Sequence, residues 1–315
     1  MIPEKGLNMI RAACDVVLWE DELPPSHAVI HRESAGMDGL LCLLSDPIDA
    51  ALIQAVEPHI KVISQMAVGV DNIDLKAATA AGIPVGHTPG VLTDTTADFA
   101  FSLLMAAARR ISEGERFVRA GKWRTWGPTL LMGQDIYGAT LGIIGMGRIG
   151  LAMAKRARGF DMRVIYSDTK EVFAAQALGA EFRPFKQLVA EADFISLHTP
   201  LTPATRHLIN AEALKRMKPN CILINTARGP VVDHEALVEA LTSGQIAYAA
   251  LDVTEPEPIP LNSPLLALDN CLIVPHIASS SVATRTRMAV MAAENLIAGL
   301  KGEHLPYCAN PQVYG

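Results

Sequence analysis

Short apolar runs recur along the chain, each closed by a glycine, a proline or a polar cluster. In the first third they are Asp15–Trp19, Gly39–Leu44, Lys61–Ser64 and Ile83–Gly86. Runs of this kind, apolar throughout and not alternating, predict strands buried on both faces, as in a parallel sheet. Helix-like segments lie between them, Ile48–Val56 and Leu75–Ala80 among them. Strand and helix in alternation predict parallel α/β units. Thr95–Arg110 carries Ala and Leu on most faces and predicts a buried helix whose start marks the crossing into a second domain.

Beyond that helix the alternation strengthens. The apolar runs are Leu141–Gly145, Arg163–Ser167, Asp193–Leu197, Cys221–Asn225, Ala247–Leu251 and Cys271–Val274. Asp233 is a good N-cap and Gly244 a good C′ residue for a helix between them. Six strands joined by crossover helices predict a doubly wound parallel sheet of the Rossmann kind. The last helix, Val282–Leu300, ends at Lys301-Gly302 and is expected to return to the first domain. The expected domains are therefore 1–94 with 282–315, and 95–281.

A length of 315 residues suits two such domains, and a hydrophobic share of 50% suffices for their cores. A net charge of -6 with no Lys/Arg block gives no electrostatic case for nucleic acid or an anionic membrane. Cys14, Cys42, Cys221, Cys271 and Cys308 show no Cys-x-x-Cys spacing. That pattern argues against a zinc site or a disulfide framework and predicts a reducing, cytoplasmic setting. With no signal peptide at its start and no uncharged apolar stretch of about 18 residues, the chain is expected to lack a membrane span.

Gly145-Met-Gly147-Arg148-Ile149-Gly150 follows a predicted strand and opens a helix. The first glycine permits a tight turn, the second lets backbone approach a pyrophosphate, and the third lets helix and strand pack closely. The helix N-terminus offers free N–H groups to phosphate. Asp168 stands 18 residues past Gly150, at the end of the next strand. A carboxylate there accepts bonds from ribose hydroxyls and repels a 2′-phosphate, which points to NAD rather than NADP. The bland alternative for Asp168 is a turn residue before Thr169-Lys170, and the glycine motif beside it favours the ribose reading. Tyr166 and Lys170 have the Tyr-x-x-x-Lys spacing of another dehydrogenase class, but they straddle a strand end and not a helix face.

In open α/β sheets ligands bind outside the carboxyl ends of the strands. Those ends carry Gly145, Asp168, Thr199-Pro200, Arg228, Asp252 and His276. A lone histidine behind a strand is ordinarily a residue bonded to a neighbour, and Glu257 alone is a solvated loop acid. Together they suggest chemistry, because a carboxylate orients an imidazole and stabilises its charged form. The planar fork of Arg228 suits a carboxylate.

These residues sit in motifs that resemble the D-isomer-specific 2-hydroxyacid dehydrogenases, closest to the glyoxylate/hydroxypyruvate reductase branch. The motifs are the glycine turn, Asn225-Thr-Ala-Arg228-Gly-Pro-Val-Val-Asp233, Leu251-Asp-Val-Thr-Glu-Pro-Glu257-Pro and Pro275-His276-Ile-Ala-Ser279. The likeness extends to Leu41–Ser45, Val68–Asp71, Thr88–Thr96 and Trp123–Trp126. It implies reduction of a small 2-oxo acid, glyoxylate or hydroxypyruvate, by NADH. In that scheme His276 gives the proton, Glu257 keeps it charged, and Arg228 holds the carboxylate and polarises the carbonyl. Val68 and Gly69 offer N–H groups to the carboxylate, with Leu44 and Ser279 beside the substrate. Asp252 sits near the nicotinamide amide, and Thr96, Pro200 and Thr226 line the cofactor cleft. The resemblance also implies a flavodoxin-like substrate domain and a homodimer, with Trp126 walling the partner's pocket rather than packing under its own loop. An NAD-sensing corepressor on the same fold, or a dehydrogenase for another 2-hydroxy acid, is the alternative.

Two departures stand out. Family members begin with a strand before the segment matching Ile2-Pro3. Either the start lies upstream or the first sheet lacks its opening strand and leaves an unpaired edge. Some reductases of this branch carry Arg or Ser near position 168 and use NADPH; Asp168 points to NADH.

Overall fold

Val62–Gln65 is buried along its whole length and forms the middle of a three-stranded parallel sheet. The computed structural model describes residues 1–57 and 59–315, divided into two units, Met1–Leu92 with Ser280–Gly315 and Thr93–Ser279. In the first unit β1 (Gly39–Cys42), β2 (Val62–Gln65) and β3 (Val85–Gly86) pair in sequence order. The helix Val282–Leu300, capped by Ser281, lies against β2. It comes very close there, since a Cβ on Gly299 would stand 2.4 Å from Cβ of Val62. The helix Glu4–Ala13 packs on it in turn, with Gly6 against the backbone of Ala289. Asp49 and Asp74 cap the helices Ala50–Val56 and Leu75–Ala80 by accepting from Leu52 and Ala77 N–H.

The strand expected at Asp15–Trp19 does not form. A strand exists only through its ladder, and this segment has none; Val17 is 65% exposed. β1 pairs with β2 alone, so its other edge is unpaired among the described residues. The sheet is accordingly narrower than the flavodoxin-like one the resemblance implied.

The second unit holds seven parallel strands: β4 (Thr140–Ile144), β5 (Arg163–Ser167), β6 (Glu181–Phe182), β7 (Phe194–Leu197), β8 (Ile222–Asn225), β9 (Tyr248–Leu251) and β10 (Cys271–Ile273). Their order is β10-β9-β8-β7-β4-β5-β6. The chain runs outward from β4 in one direction and from β7 in the other, so the switch point lies between β4 and β7, as in a Rossmann sheet. The helices Thr93–Ala108 and Arg148–Ala157 bury Leu104, Ala107, Met153 and Ala154 against one face, with Ile143 and Phe194. The helices Phe185–Glu191, Ala211–Arg216 and His234–Thr242 bury Leu188, Leu214 and Leu237 against the other, with Ile195 and Leu223. The last of these starts at Asp233, which accepts from Ala236 N–H, and is closed by Gly244 at φ 71°. β6 was not expected from the sequence. It is two residues long and begins with an exposed Glu181, so it has no apolar run to betray it.

Candidate active site

The turn after β4 is as tight as its glycines allow. Gly145 has φ 92°, and a Cβ there would lie 2.6 Å from the carbonyl oxygen of His198. A Cβ on Gly150 would lie 2.2 Å from the Gly145 carbonyl oxygen. Gly147 differs: nothing lies within 4 Å of its Cβ position. It precedes the helix Arg148–Ala157, which has no side-chain cap. An open face and an uncapped helix N-terminus together suit a phosphate. Arg148 is exposed and Ile149 half-buried at that first turn. Asp168 Oδ2 accepts from Met146 N–H at 2.8 Å, and Oδ1 accepts from Thr169 N–H at 2.6 Å. The carboxylate thus braces the glycine turn as well as standing at the end of β5.

Two further strand ends carry sealed polar atoms without hydrogen-bond partners among the described residues, Thr226 Oγ1 after β8 and His198 Nδ1 after β7. Buried polar atoms are ordinarily bonded. The residues at this edge therefore fit a dinucleotide, with Pro200 exposed beyond β7 and Thr96 buried in the helix Thr93–Ala108. Burial pushes the His198 imidazole down to about 4, and its Nε2 bonds Ser196 Oγ at 2.9 Å.

His276 is held in an unusual conformation. Its φ of 52° lies in the left-handed region, where a residue with a Cβ is strained. Its N–H donates to the Asp252 carbonyl at 2.9 Å, and to the Val274 carbonyl at 3.1 Å. The next two N–H groups, of Ile277 and Ala278, donate to the two carboxylate oxygens of Asp252 at 2.7 and 2.9 Å. Asp252 is 1% exposed. Burial pushes its carboxyl up, opposed by those two bonds and by the nearby His276. On the ring side, His276 Nδ1 lies 2.5 Å from Glu257 Oε1.

Arg228 hangs from a turn folded by Asn225, which is fully buried. Asn225 Oδ1 accepts from Ala227 N–H at 3.0 Å, and its Nδ2 donates to the Arg228 carbonyl at 2.9 Å. The guanidinium is half-buried, with Nη1 donating to the Ala227 carbonyl at 2.7 Å. The Arg228 turn meets the Glu257 loop directly: a Cβ on Gly229 would stand 1.8 Å from the Thr254 carbonyl oxygen.

The second unit thus carries Arg228, Glu257, His276, Asp252, Asp168 and the glycine turn on the carboxyl ends of its strands. Ser279 closes that unit, half-buried. Val68, Gly69 and Leu44 belong to the first unit, past the carboxyl ends of β2 and β1. Neither the Val68 nor the Gly69 N–H has an acceptor among the described residues. Their carbonyls are engaged by His87 Nδ1 and Gln65 Nε2. Trp126 and Trp123 are 78% and 61% exposed, so their own loop does not bury them.

Sequence reasoning missed several supports. Gln65 donates to Asn72 Oδ1 at 2.6 Å, and Asn72 Nδ2 donates to the Leu43 and Asp46 carbonyls, tying two loops of the first unit together. Asn225 plays a similar part in the second. Gln65 and Asn225 share a signal, a polar residue closing an apolar run. Among the described residues no group of three His, Cys, Asp or Glu is placed to hold a metal ion, and no helix is long and apolar enough to cross a membrane.

Residues 101–278 match the family model described as "D-isomer specific 2-hydroxyacid dehydrogenase, NAD binding domain". A glyoxylate reductase of Korarchaeum cryptofilum is 54% identical, covering 99% of this chain and 94% of that protein. A glyoxylate reductase of Thermofilum pendens is 49% identical, covering 99% and 93%. The crystal structure of the TT0316 protein from Thermus thermophilus superposes with a TM-score of 0.93 at 47% identity, covering 98% of this chain and 97% of that one. A matching family model over most of the Rossmann unit, and such identity along the full length, place this chain in the D-isomer-specific 2-hydroxyacid dehydrogenase family.

Proposed function

We propose that this protein reduces a small 2-oxo acid, glyoxylate or hydroxypyruvate, to the D-2-hydroxy acid with NADH. The observation that carries the reading is the 2.5 Å contact between His276 Nδ1 and Glu257 Oε1 at the carboxyl edge of a nucleotide-binding sheet. A carboxylate bonded to one ring nitrogen fixes the plane of the imidazole and turns the other nitrogen outward. Nε2 is then the nitrogen that hands a proton to the substrate oxygen. The guanidinium of Arg228 grips the substrate carboxylate and draws charge from the carbonyl. The bound cofactor supplies the hydride. Asp168 faces its ribose and disfavours a 2′-phosphate, while Thr226, Pro200 and Thr96 line its cleft.

The choice of substrate rests on the relatives named glyoxylate reductase. A homodimer is part of the reading as well. The exposed strip of Trp123, Trp126, Leu130 and Met132, beside a helix Ile111–Arg119 that buries no residue, is more apolar than a solvated surface needs. A second copy covers it, and Trp126 walls the partner's pocket.

The test is NADH oxidation with a panel of 2-oxo acids. Glyoxylate or hydroxypyruvate is expected to lead, and His276→Ala to cut kcat by about 10² or more while NADH still binds. No oxidation with any acid of the panel would sink the reading.

A further inference from the structure

Glu255 stands two residues before Glu257 and has no part in the roles assigned so far. Between its carboxylate and its backbone N–H it is nevertheless the meeting point of three loops. Oε1 accepts from Arg206 Nη2 at 2.6 Å, and Oε2 lies 3.3 Å from His207 Nε2. Its backbone N–H donates to His234 Nδ1 at 3.2 Å. Arg206 and His207 follow β7, His234 opens the helix that follows the Arg228 turn, and Glu255 itself follows β9.

The same three loops are joined through the backbone. His207 N–H donates to the Pro230 carbonyl at 2.8 Å, with His207 held at φ 50°. Gly229 abuts the Thr254 carbonyl with no room for a side chain, and Thr254 Oγ1 donates to the Pro256 carbonyl at 2.8 Å. Burial pushes the Glu255 carboxyl up, and the bonds from Arg206 and His207 outweigh it, so the group is held below its ordinary range and carries its charge. Burial also lowers the His234 imidazole, with Glu255, Asp233 and His207 as its charged or titratable neighbours. A neutral His234 keeps the Nδ1 lone pair that the Glu255 N–H requires.

We propose that Glu255 is a positioning residue for the reaction, setting Glu257 against His276 and the Arg228 turn beside both. The proposal rests on the function proposed above. A carboxylate with this exposure adds little to global stability through its ion pairs. Its effect is on placement, and a proton-donating pair tolerates displacement poorly.

Glu255→Gln keeps the shape and removes the charge. In the full-length enzyme it is expected to lower kcat about tenfold. The alkaline limb of the pH–rate profile should move to lower pH, as it should in Glu257→Gln, because the ring loses a well-placed counter-charge. NADH affinity, read by protein fluorescence, should stay within about twofold. Arg206→Ala should reproduce the effect and Arg206→Lys should retain most of the activity. Glu255→Gln with Arg206→Ala should be no worse than either alone, since both remove one contact. A wild-type pH profile in Glu255→Gln, or a kcat loss that only follows a loss of thermal stability, would overturn the proposal. Nitrogen-15 NMR of the His276 ring, assigned by its loss in His276→Ala, gives an answer that needs no turnover. The His276 resonances should shift in Glu255→Gln toward their positions in Glu257→Gln. Unchanged resonances refute the positioning role; shifted resonances in a protein that reduces no 2-oxo acid uphold it and refute the proposed function instead.

Discussion

Asp252 grips the backbone on both sides of His276: its carbonyl accepts the histidine's own N–H at 2.9 Å, and its carboxylate accepts the N–H groups of Ile277 and Ala278. These bonds hold His276 at a positive φ that its side chain disfavours. An asparagine at 252 would turn a donor toward one of the two N–H groups. Asp252→Asn should therefore cost about 1–3 kcal/mol of stability, read by urea unfolding. It should also lower kcat by about tenfold or more, because the imidazole loses its fixed aim. Full activity in a destabilised variant would show that the strained backbone does not matter to the chemistry.

Asp168 governs cofactor choice in the proposed reaction. NADH should exceed NADPH in kcat/KM by at least about tenfold, or about 1.4 kcal/mol. Asp168→Ser should narrow that gap by admitting a 2′-phosphate. The variant also loses the bond to Met146 N–H, so NADH binding itself should weaken somewhat. Equal use of both cofactors by the unaltered protein would remove Asp168 from the ribose.

His198 makes acid stability a measurable quantity. Its imidazole titrates at about 4 in the folded protein because burial disfavours the charged form. In the unfolded chain it titrates near 6.5. Between those values the unfolded chain holds a proton that the folded one does not, so stability falls as pH falls. The full span is worth at most about 3 kcal/mol. Without cofactor, the drop in Tm from pH 7 to about pH 4.5 should be smaller in His198→Asn than in the parent. Equal drops in the two proteins would refute the assignment.

Trp126 offers a test of the dimer. In the proposed assembly each site takes Trp126 from one subunit and His276 from the other. Trp126→Ala should raise KM and lower kcat/KM without unfolding the protein. Refolding Trp126→Ala together with His276→Ala gives mixed dimers with one doubly altered site and one intact site. Random mixing should recover roughly a quarter of the activity of the unaltered protein. If each tryptophan serves its own subunit, no intact site forms and the mixture does no better than the mean of its parents.

Patterning alone located most elements because parallel strands are continuous apolar runs. β5 and the helices Leu75–Ala80 and Val282–Leu300 coincide with their expected bounds. Asp15–Trp19 has the same composition but no ladder partner, and pairing is a property of the neighbour and not of the run. The glycine turn is legible because all its demands are local: each glycine answers to an atom a few residues away or to open space. The support of the proposed acid–base pair is not local. The φ of His276 is set by Asp252, 24 positions earlier, and Glu255 gathers Arg206 and His207 from 48 and more positions away. Such relations follow from strand order, which a single sequence does not spell out.

The hanging of each polar residue on its own strand end has a consequence for how the protein can change over generations. Loops that share one edge yet leave the sheet separately can vary in turn, and selection can reshape acid preference without rebuilding the hydrophobic layers. That freedom ends where the loops are tied together, as Glu255 is to Arg206 and His207 and, with no room to spare, Gly229 is to Thr254. Variation there must be paired, so drift at one position constrains the other, and the arginine turn and the glutamate loop are expected to evolve as one heritable unit.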